Sequence, residues 1–152
     1  MKNTGYRIVA VPTDFASSVR ADPRAVRRLD GQPHQCRHCL TLSSPGEAVL
    51  LASFSPFRTD QPYAERGPVF AHERNCPRYA DDSAYPRQFP RRAAVLRAYD
   101  GGEALVDARV VGDSDVDALI AELFADTRVA FLHARNVAEG CFMFRIERAA
   151  GL

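Results

Sequence analysis

Residues 93–111 have the sequence AAVLRAYDGGEALVDARVV, in which two apolar segments flank the turn Asp100-Gly101-Gly102. Glycines at such a turn permit positive φ, and strand-forming residues stand on both sides of it. The pattern therefore predicts an antiparallel hairpin with strands at 93–99 and 104–111.

Residues 114–125 carry the clearest helical pattern of the chain. Ser114 suits the N-cap position, and Asp117 follows three residues later. Apolar residues then recur at spacings of three and four, which places them on one face of a helix. Two further strands are predicted after it, at Val129–Ala134 and Cys141–Glu147, so the helix is expected to pack on an antiparallel sheet.

The first ninety or so residues are less regular. Strands are predicted at Tyr6–Val11 and Ala48–Phe54, and a short helix is predicted to begin at Asp22-Pro23. Residues 55–92 contain six prolines and show no sustained period. They are expected to form a long irregular loop with a brief strand at Val69–His72.

Length and composition fit one globular domain. The chain of 152 residues is 46% apolar and 26% charged, which is ordinary for such proteins and is enough for one core. We therefore predict a single domain over residues 1–152. Its class is α+β, with a mostly antiparallel sheet built as one layer, one main amphipathic helix and a long proline-rich loop.

Charge and hydropathy argue against some classes of function. The formal net charge of +1 gives no general attraction to nucleic acid. No apolar run reaches the roughly 18 residues that span a bilayer, and no signal-like segment is found at the start. Nineteen of the twenty basic residues are arginine, a bias that favours a bacterial source. We expect a cytoplasmic protein with reduced thiols, in an oligomeric state that the sequence leaves open.

Histidines stand close to cysteines along the chain. In Cys36-Arg37-His38-Cys39 two residues separate the two thiols, and His72 stands four residues before Cys76. Each pair has the spacing of a zinc half-site, and together they supply three thiolates and one imidazole. The sequence thus predicts a zinc site formed by Cys36, Cys39, His72 and Cys76. The alternative is that these are reduced cysteines packed under loops.

A second arrangement uses His133 and Cys141, which lie on the last two predicted strands. If the connection closes as a hairpin with Ala134 opposite Gly140, the two residues face each other and a thiol–imidazole contact forms. An imidazole beside a thiol can activate a nucleophile, so Cys141 and His133 are candidate catalytic residues. The opposing interpretation is a hydrogen-bonded core histidine and a packing cysteine.

The order of these motifs resembles that of a known family. The cluster Cys36-Arg37-His38-Cys39-Leu40 is followed by Ser55-Pro56-Phe57, by Gly67-Pro68-Val69-Phe70-Ala71-His72-Glu73, by Cys76, and by His133-Ala134-Arg135-Asn136 with Gly140-Cys141-Phe142. In this order the chain is similar to a bacterial family catalogued as domain of unknown function 1203. The resemblance covers nearly the whole chain and implies a bacterial protein of one domain. It implies no catalytic residue, because the family has no characterised function.

Two classes of function remain open from the sequence, and so does the question whether the protein is an enzyme. The first is a small protein in which zinc orders the loops and residues 55–92 bind a ligand or partner. The second is a thiol-dependent enzyme that uses Cys141 with His133, or Cys39 with His38 or His72. Metal content separates them, since zinc held by four ligands favours the first class. Absence of metal together with one rapidly alkylated cysteine favours the second.

Overall fold

Within residues 5–80 and 84–149, which the computed structural model describes, the chain forms two helices and eight strands. The strands are β1 (Tyr6–Val9), β2 (Val26–Arg28), β3 (Val49–Phe54), β4 (Gly67–His72), β5 (Ala94–Tyr99), β6 (Leu105–Val110), β7 (Phe131–Asn136) and β8 (Phe142–Arg148). The helices are α1 (Thr13–Ala21) and α2 (Val116–Ala125). Helix α1 has nine residues and α2 has ten. No helix of the described ranges is long and apolar enough to cross a membrane. The predicted α+β class is confirmed.

The strands of the described ranges form two antiparallel sheets rather than the single sheet that the sequence predicts. A large sheet has the order β1-β8-β7-β5-β6, and a small sheet has the order β2-β3-β4. Strand β1 pairs with β8, so the first strand joins the last one. Strand β2 pairs with β3 and lies where the sequence pattern predicts a helix.

The first helix begins earlier than predicted. Helix α1 follows Pro12 and ends at Asp22, whose backbone is extended, with φ −85° and ψ 114°. A residue that precedes proline disfavours helical backbone angles, so Pro23 ends this helix instead of starting another. The predicted helix at Asp22-Pro23 is therefore wrong.

One face of the large sheet packs against α2 and forms the main core. The helix residues that the sequence places on one face are buried, which confirms the predicted orientation. They pack with inward-facing side chains of β1, β5, β7 and β8 in one cluster. The cap lies one residue later than predicted, because Asp115 rather than Ser114 accepts hydrogen bonds from the N–H groups of Asp117 and Ala118. Its carboxylate also matches the positive end of the helix.

The opposite face of the large sheet carries arginine and aromatic side chains. His133 of β7 lies between Arg97 of β5 and Arg145 of β8 in the strand register. Phe57, from the segment after β3, packs its ring on His133 and Tyr99 at centroid distances of 5.0 and 5.2 Å. The proline-rich segment therefore covers this face, and the sheet is buried on both sides near its centre.

The turn between β5 and β6 holds the proline-rich segment in place. The buried carboxylate of Glu103 accepts hydrogen bonds from the N–H groups of Arg58 and Thr59 at 2.7 to 3.1 Å. Glu103 has φ +67°, so it takes the positive φ that the sequence assigns to the glycines of this turn. Residues 55–92 also contribute strand β4, and their residues 81–83 lie outside the described ranges.

Truncating Leu123 should reduce the free energy of unfolding by about 2–5 kcal/mol, because it removes apolar contacts and leaves a cavity. The leucine is 3% exposed. Glu122 on the same helix is exposed and pairs with Arg109 at the surface. Glu122→Ala is therefore the matched control and should cost less than about 1 kcal/mol. Chemical denaturation of both variants measures this, and equal losses would contradict the packing of α2 on the sheet.

Candidate metal centre

The loop of residues 35–42 brings Cys36 and Cys39 together. The N–H of Cys36 donates to the carbonyl of Thr41, and the N–H of Leu40 donates to the carbonyl of Cys36, both at 3.0 Å. Leu40 has φ +57°, which reverses the chain directly behind Cys39. A left-handed residue at this point lets a Cys-x2-Cys segment close into one tight turn.

Strand β4 and the segment after it approach this loop. The N–H of Arg37 donates to the carbonyl of Phe70 at 2.8 Å, so the loop lies along β4 close to its end. The chain then returns across the loop, where the N–H of Tyr79 donates to the carbonyl of His38 at 2.8 Å. Cys76 lies between these two backbone contacts in the chain.

The four residues predicted as zinc ligands lie close together. One ligand atom each of Cys36, Cys39 and His72 lies within 4.8 Å of the others, and the Sγ atoms of Cys36 and Cys76 are 3.9 Å apart. A tetrahedral zinc ion with Zn–S bonds of about 2.3 Å separates its sulfur ligands by about 3.8 Å. The distance between Cys36 and Cys76 therefore matches two sulfur ligands of one ion, although Cys76 lies outside the group of three. Metal binding itself stays a prediction.

The imidazole of His72 is fully buried, and its Nδ1 makes no hydrogen bond within the described ranges. Its Nε2 lies 3.3 Å from the hydroxyl of Thr41, which is also 3.1 Å from Cys39 Sγ. Its Nδ1 lies 3.8 Å from the Glu47 carboxylate, which stays charged because Arg74 lowers the pKa of Glu47 to about 2. Metal-binding histidines commonly present one nitrogen to the ion and the other to such a group. Nε2, on the side of Cys39, is therefore the nitrogen that would face a metal.

The thiols of Cys36 and Cys39 have opposite tendencies. The pKa of Cys39 is lowered because its sulfur accepts hydrogen bonds, first from Cys36 and then from His72 and Thr41. The pKa of Cys36 is raised because it is the donor in that pair and because it is buried. A soft divalent cation that bound both sulfurs would displace their protons.

Two residues beside Cys76 extend the cluster and are not in the predicted ligand set. His38 Nδ1 lies 3.2 Å from Cys76 Sγ, and its Nε2 lies 3.0 Å from the hydroxyl of Thr13. Arg20 Nη2 donates to the same sulfur at 3.2 Å. Burial lowers the pKa of His38, so its neutral ring can accept a hydrogen bond. The position of His38 within the Cys-x2-Cys motif indicates that it lies beside the cysteines. No sequence pattern indicates Arg20, because it lies far from Cys76 in the chain.

His133 is a buried histidine on the arginine-rich face of the large sheet. Burial, followed by the charges of nearby arginines, lowers its pKa well below the usual value. Its Nδ1 lies 3.4 Å from Arg135 Nη2, and its Nε2 has no hydrogen-bond partner among the residues described. Four aromatic rings surround it at centroid distances of 4.9 to 5.3 Å: Phe57, Tyr99, Phe131 and Phe142.

The last hairpin does not place Cys141 opposite His133. The partner of His133 in the β7–β8 register is Arg145, and Cys141 lies just before β8. The turn begins at Asn136, whose side-chain oxygen accepts from the N–H of Ala138 at 2.9 Å. The connection is therefore tighter than the predicted one, and the predicted cross-strand pairing is wrong. A catalytic role of the two residues stays a prediction.

Cys141 has a different partner, which the sequence analysis missed. Arg37 Nη2 donates to Cys141 Sγ at 3.2 Å. Cys141 is partly exposed and lines a cavity of about 170 Å³. All four cysteines of the chain lie in the described ranges and carry free thiols. Arg37 stands inside the Cys-Arg-His-Cys motif, but nothing in that motif points to a cysteine about a hundred residues later.

The fold and the cluster define a small α+β domain with cysteines and histidines gathered at the end of its smaller sheet. A family model described as "Protein of unknown function (DUF1203)" matches residues 31–148, a range that contains every site residue predicted from the sequence. The chain belongs to this family, the domain of unknown function 1203, as the order of its motifs predicts. No curated protein and no solved structure matches the chain.

His133 should make the protein lose stability in acid. An unfolded histidine takes up a proton below about pH 6.5, whereas the pKa of His133 in the folded protein is well below that value. Unfolding therefore binds a proton in that range. The free energy of unfolding should fall as the pH drops below about 6.5, by up to about 1.4 kcal/mol per pH unit.

The variant His133→Phe tests this dependence, since phenylalanine suits the surrounding rings and cannot be protonated. Urea denaturation from about pH 7.5 down to 5 should give a shallower loss of stability in the variant than in the wild type. His34, which bonds to Asp30 near the surface, supplies the control His34→Gln. His38 leaves some slope in every variant because its pKa is also lowered. Equal slopes for wild type and His133→Phe would contradict the prediction.

Proposed function

We propose that this protein is a zinc-stabilised domain in which residues 55–92 bind a ligand or partner. The observation that supports it is the gathering of Cys36, Cys39, His72 and Cys76 in one cluster, although they come from separate stretches of the chain. Three thiolates and one imidazole match the softness and the tetrahedral preference of zinc. The ion would join the loop of residues 35–42 to the end of β4 and would contribute directly to folding stability.

The surroundings of the sulfurs favour this proposal over simple packing. Cysteines that only pack are surrounded by apolar groups. Here the sulfur of Cys76 meets an imidazole and a guanidinium, and the sulfur of Cys36 accepts from the N–H of His72 at 3.4 Å. The guanidinium and the His72 N–H would stabilise thiolates once a metal binds, whereas the pKa values of Cys36 and Cys76 are raised in the metal-free protein, in part by burial. The carboxylate of Glu47 lies 3.8 Å from His72 Nδ1, on the side where zinc-bound imidazoles usually have an acceptor, although it makes no hydrogen bond to the ring.

Purified protein should contain about one zinc ion per chain, and its removal should lower the melting temperature. Cys39→Ser and Cys76→Ser should each reduce the bound zinc strongly, because each removes one thiolate. Cys141→Ser is the matched control and should keep the zinc, since its sulfur contacts Arg37 rather than the cluster. Elemental analysis and thermal unfolding measure these effects.

Cobalt substitution adds a test of geometry. Co²⁺ in a site with three sulfurs and one nitrogen should give the strong visible bands of a tetrahedral thiolate complex. Affinity should rise with pH, because thiol protons must leave when the metal binds. Purified and reconstituted protein that holds no metal, or a Cys141→Ser variant that loses as much zinc as Cys39→Ser, would refute the proposed site.

A second candidate function is thiol chemistry at Cys141, and its contact with Arg37 is the observation that favours it. A guanidinium beside a partly exposed thiol stabilises the thiolate, which is the nucleophile. In zinc-loaded protein, iodoacetamide should therefore label Cys141 faster than the three clustered cysteines. Peptide mass spectrometry measures the labelling rates.

The variant His133→Ala tests whether His133, which pairs with Arg145 in the strand register, acts on the thiol of Cys141. Slower labelling of Cys141 in this variant at neutral pH would support an imidazole that acts with the thiol. A labelling profile equal to that of the wild type would leave His133 without a part in the chemistry. A midpoint near the ordinary thiol value of about 8.5 in both proteins would make Cys141 a packing residue.

A further inference from the structure

We infer that a cavity at the edge of the large sheet binds a small organic anion, a carboxylate or phosphate monoester carried on an apolar body. The cavity has a volume of about 350 Å³ and lies between the end of β1, the segment after β3, and β8. This volume falls within the range of small-molecule sites in proteins. The inference rests on the part of the proposed function that gives residues 55–92 a ligand, and it does not depend on zinc.

Apolar side chains form much of the wall of this cavity. They are valine and proline from residues 9–12, phenylalanine and proline from residues 54–57, and Phe142 of β8. The rings of Phe54 and Phe142 lie 5.7 Å apart, and Phe57 is held against the rings of His133 and Tyr99. The wall is therefore already ordered, which keeps the entropic cost of binding small.

The one acidic residue that lines the cavity is already compensated. Glu147 accepts a hydrogen bond from Arg145 Nε at 2.7 Å and another from Arg7 Nη2 at 2.6 Å. These charged contacts hold the pKa of Glu147 below its usual range against the opposing effect of its partial burial. Its carboxylate therefore stays ionised and has two cations of its own.

Two more arginines line the same cavity without an acidic partner. Arg78 donates to the carbonyl of Ala10 at 2.6 Å and makes no ion pair within the described ranges. The side chain of Arg58 is exposed and also makes no ion pair within the described ranges. The lining thus holds three arginines and one glutamate, an excess of positive charge that no acidic residue within the described ranges compensates.

The position of Arg58 is set by its backbone. The N–H groups of Arg58 and Thr59 both donate to the buried carboxylate of Glu103. The backbone of Arg58 is therefore held in place at the rim of the cavity, and the guanidinium group is attached there. Guanidinium groups recognise carboxylate and phosphate through paired N–H donors. Together with the apolar wall, this arrangement selects a ligand with an anionic head and a hydrophobic body.

Phenyl phosphate, phenylacetate and phenol are the probes, titrated into the full chain and followed by amide NMR shifts. The two anions should bind saturably and shift the amide signals of residues 9–11, 54–55 and 57–58, and phenol should bind at least about tenfold more weakly. Comparison of the two anions identifies the preferred head group. The absence of saturation by either anion at about 10 mM, or equal affinities for phenol and both anions, would overturn the inference.

Variants at the rim locate the binding. Arg58→Gln and Arg78→Gln should each weaken the binding of the better anion about tenfold, because each removes a charged donor. Arg58→Lys should restore part of the loss, since it restores the charge but not the paired donors. Arg128→Gln removes an exposed arginine that pairs with Asp126, and it should leave the affinity unchanged. Equal losses in Arg128→Gln and Arg58→Gln would also overturn the inference.

Failure of this inference can be told apart from failure of the zinc site. Zinc content is measured on the same samples. Zinc-loaded protein that binds neither anion would refute the anion site and leave the metal centre standing. Anion binding that depends on Arg58 and Arg78, in protein that takes up no metal even on reconstitution, would support the cavity and refute the zinc proposal.

Discussion

The buried Arg37 is the residue on which the arrangement of the two sheets depends. Its N–H donates to the carbonyl of Phe70 in the small sheet, and its carbonyl accepts from the N–H of Val11, just beyond the first strand of the large sheet. Its guanidinium donates to the carbonyls of Phe142 and Gln35 at 2.7 and 2.6 Å. Burying a cation is costly, and it is tolerated here because these acceptors replace water. Burial lowers the pKa of Arg37, yet an arginine stays charged.

The metal cluster and the basic cavity lie on neighbouring stretches of the same chain. Pro12 lines the cavity, and the next residue, Thr13, bonds to the imidazole of His38. Arg78 lines the cavity and lies two residues after Cys76. An ion that holds Cys76 would therefore also restrict the backbone that presents Arg78. The cysteine cluster and the cavity are thus joined by short covalent connections, although the cavity is formed without a metal.

The candidate metal residues could be found from the sequence. The position of His72 and Cys76 relative to Cys36 and Cys39 could not. Cys36 and Cys39 are close because only two residues separate them and the chain makes a tight turn there. His72 and Cys76 meet them only because β4 ends beside that turn, so their approach depends on sheet pairing. For Cys141 the predicted partner failed, because the length of a hairpin connection decides every cross-strand pair and a small change in it moves them all. The partner of Cys141 is instead Arg37, which is distant in the chain and which no local spacing can indicate.

The sequence by itself determined the α+β class, the amphipathic face of α2 and most strands of the large sheet, because these follow from local periodicity and turn chemistry. It misplaced the first helix, since proline suits both the start of a helix and the residue after its end, and only the surrounding pairing selects one. It also could not show that the strands divide into two sheets. That division, the gathering of the cysteines and the charge left over at the cavity were decided by tertiary structure. Each depends on contacts between residues far apart in the chain, which no local pattern records.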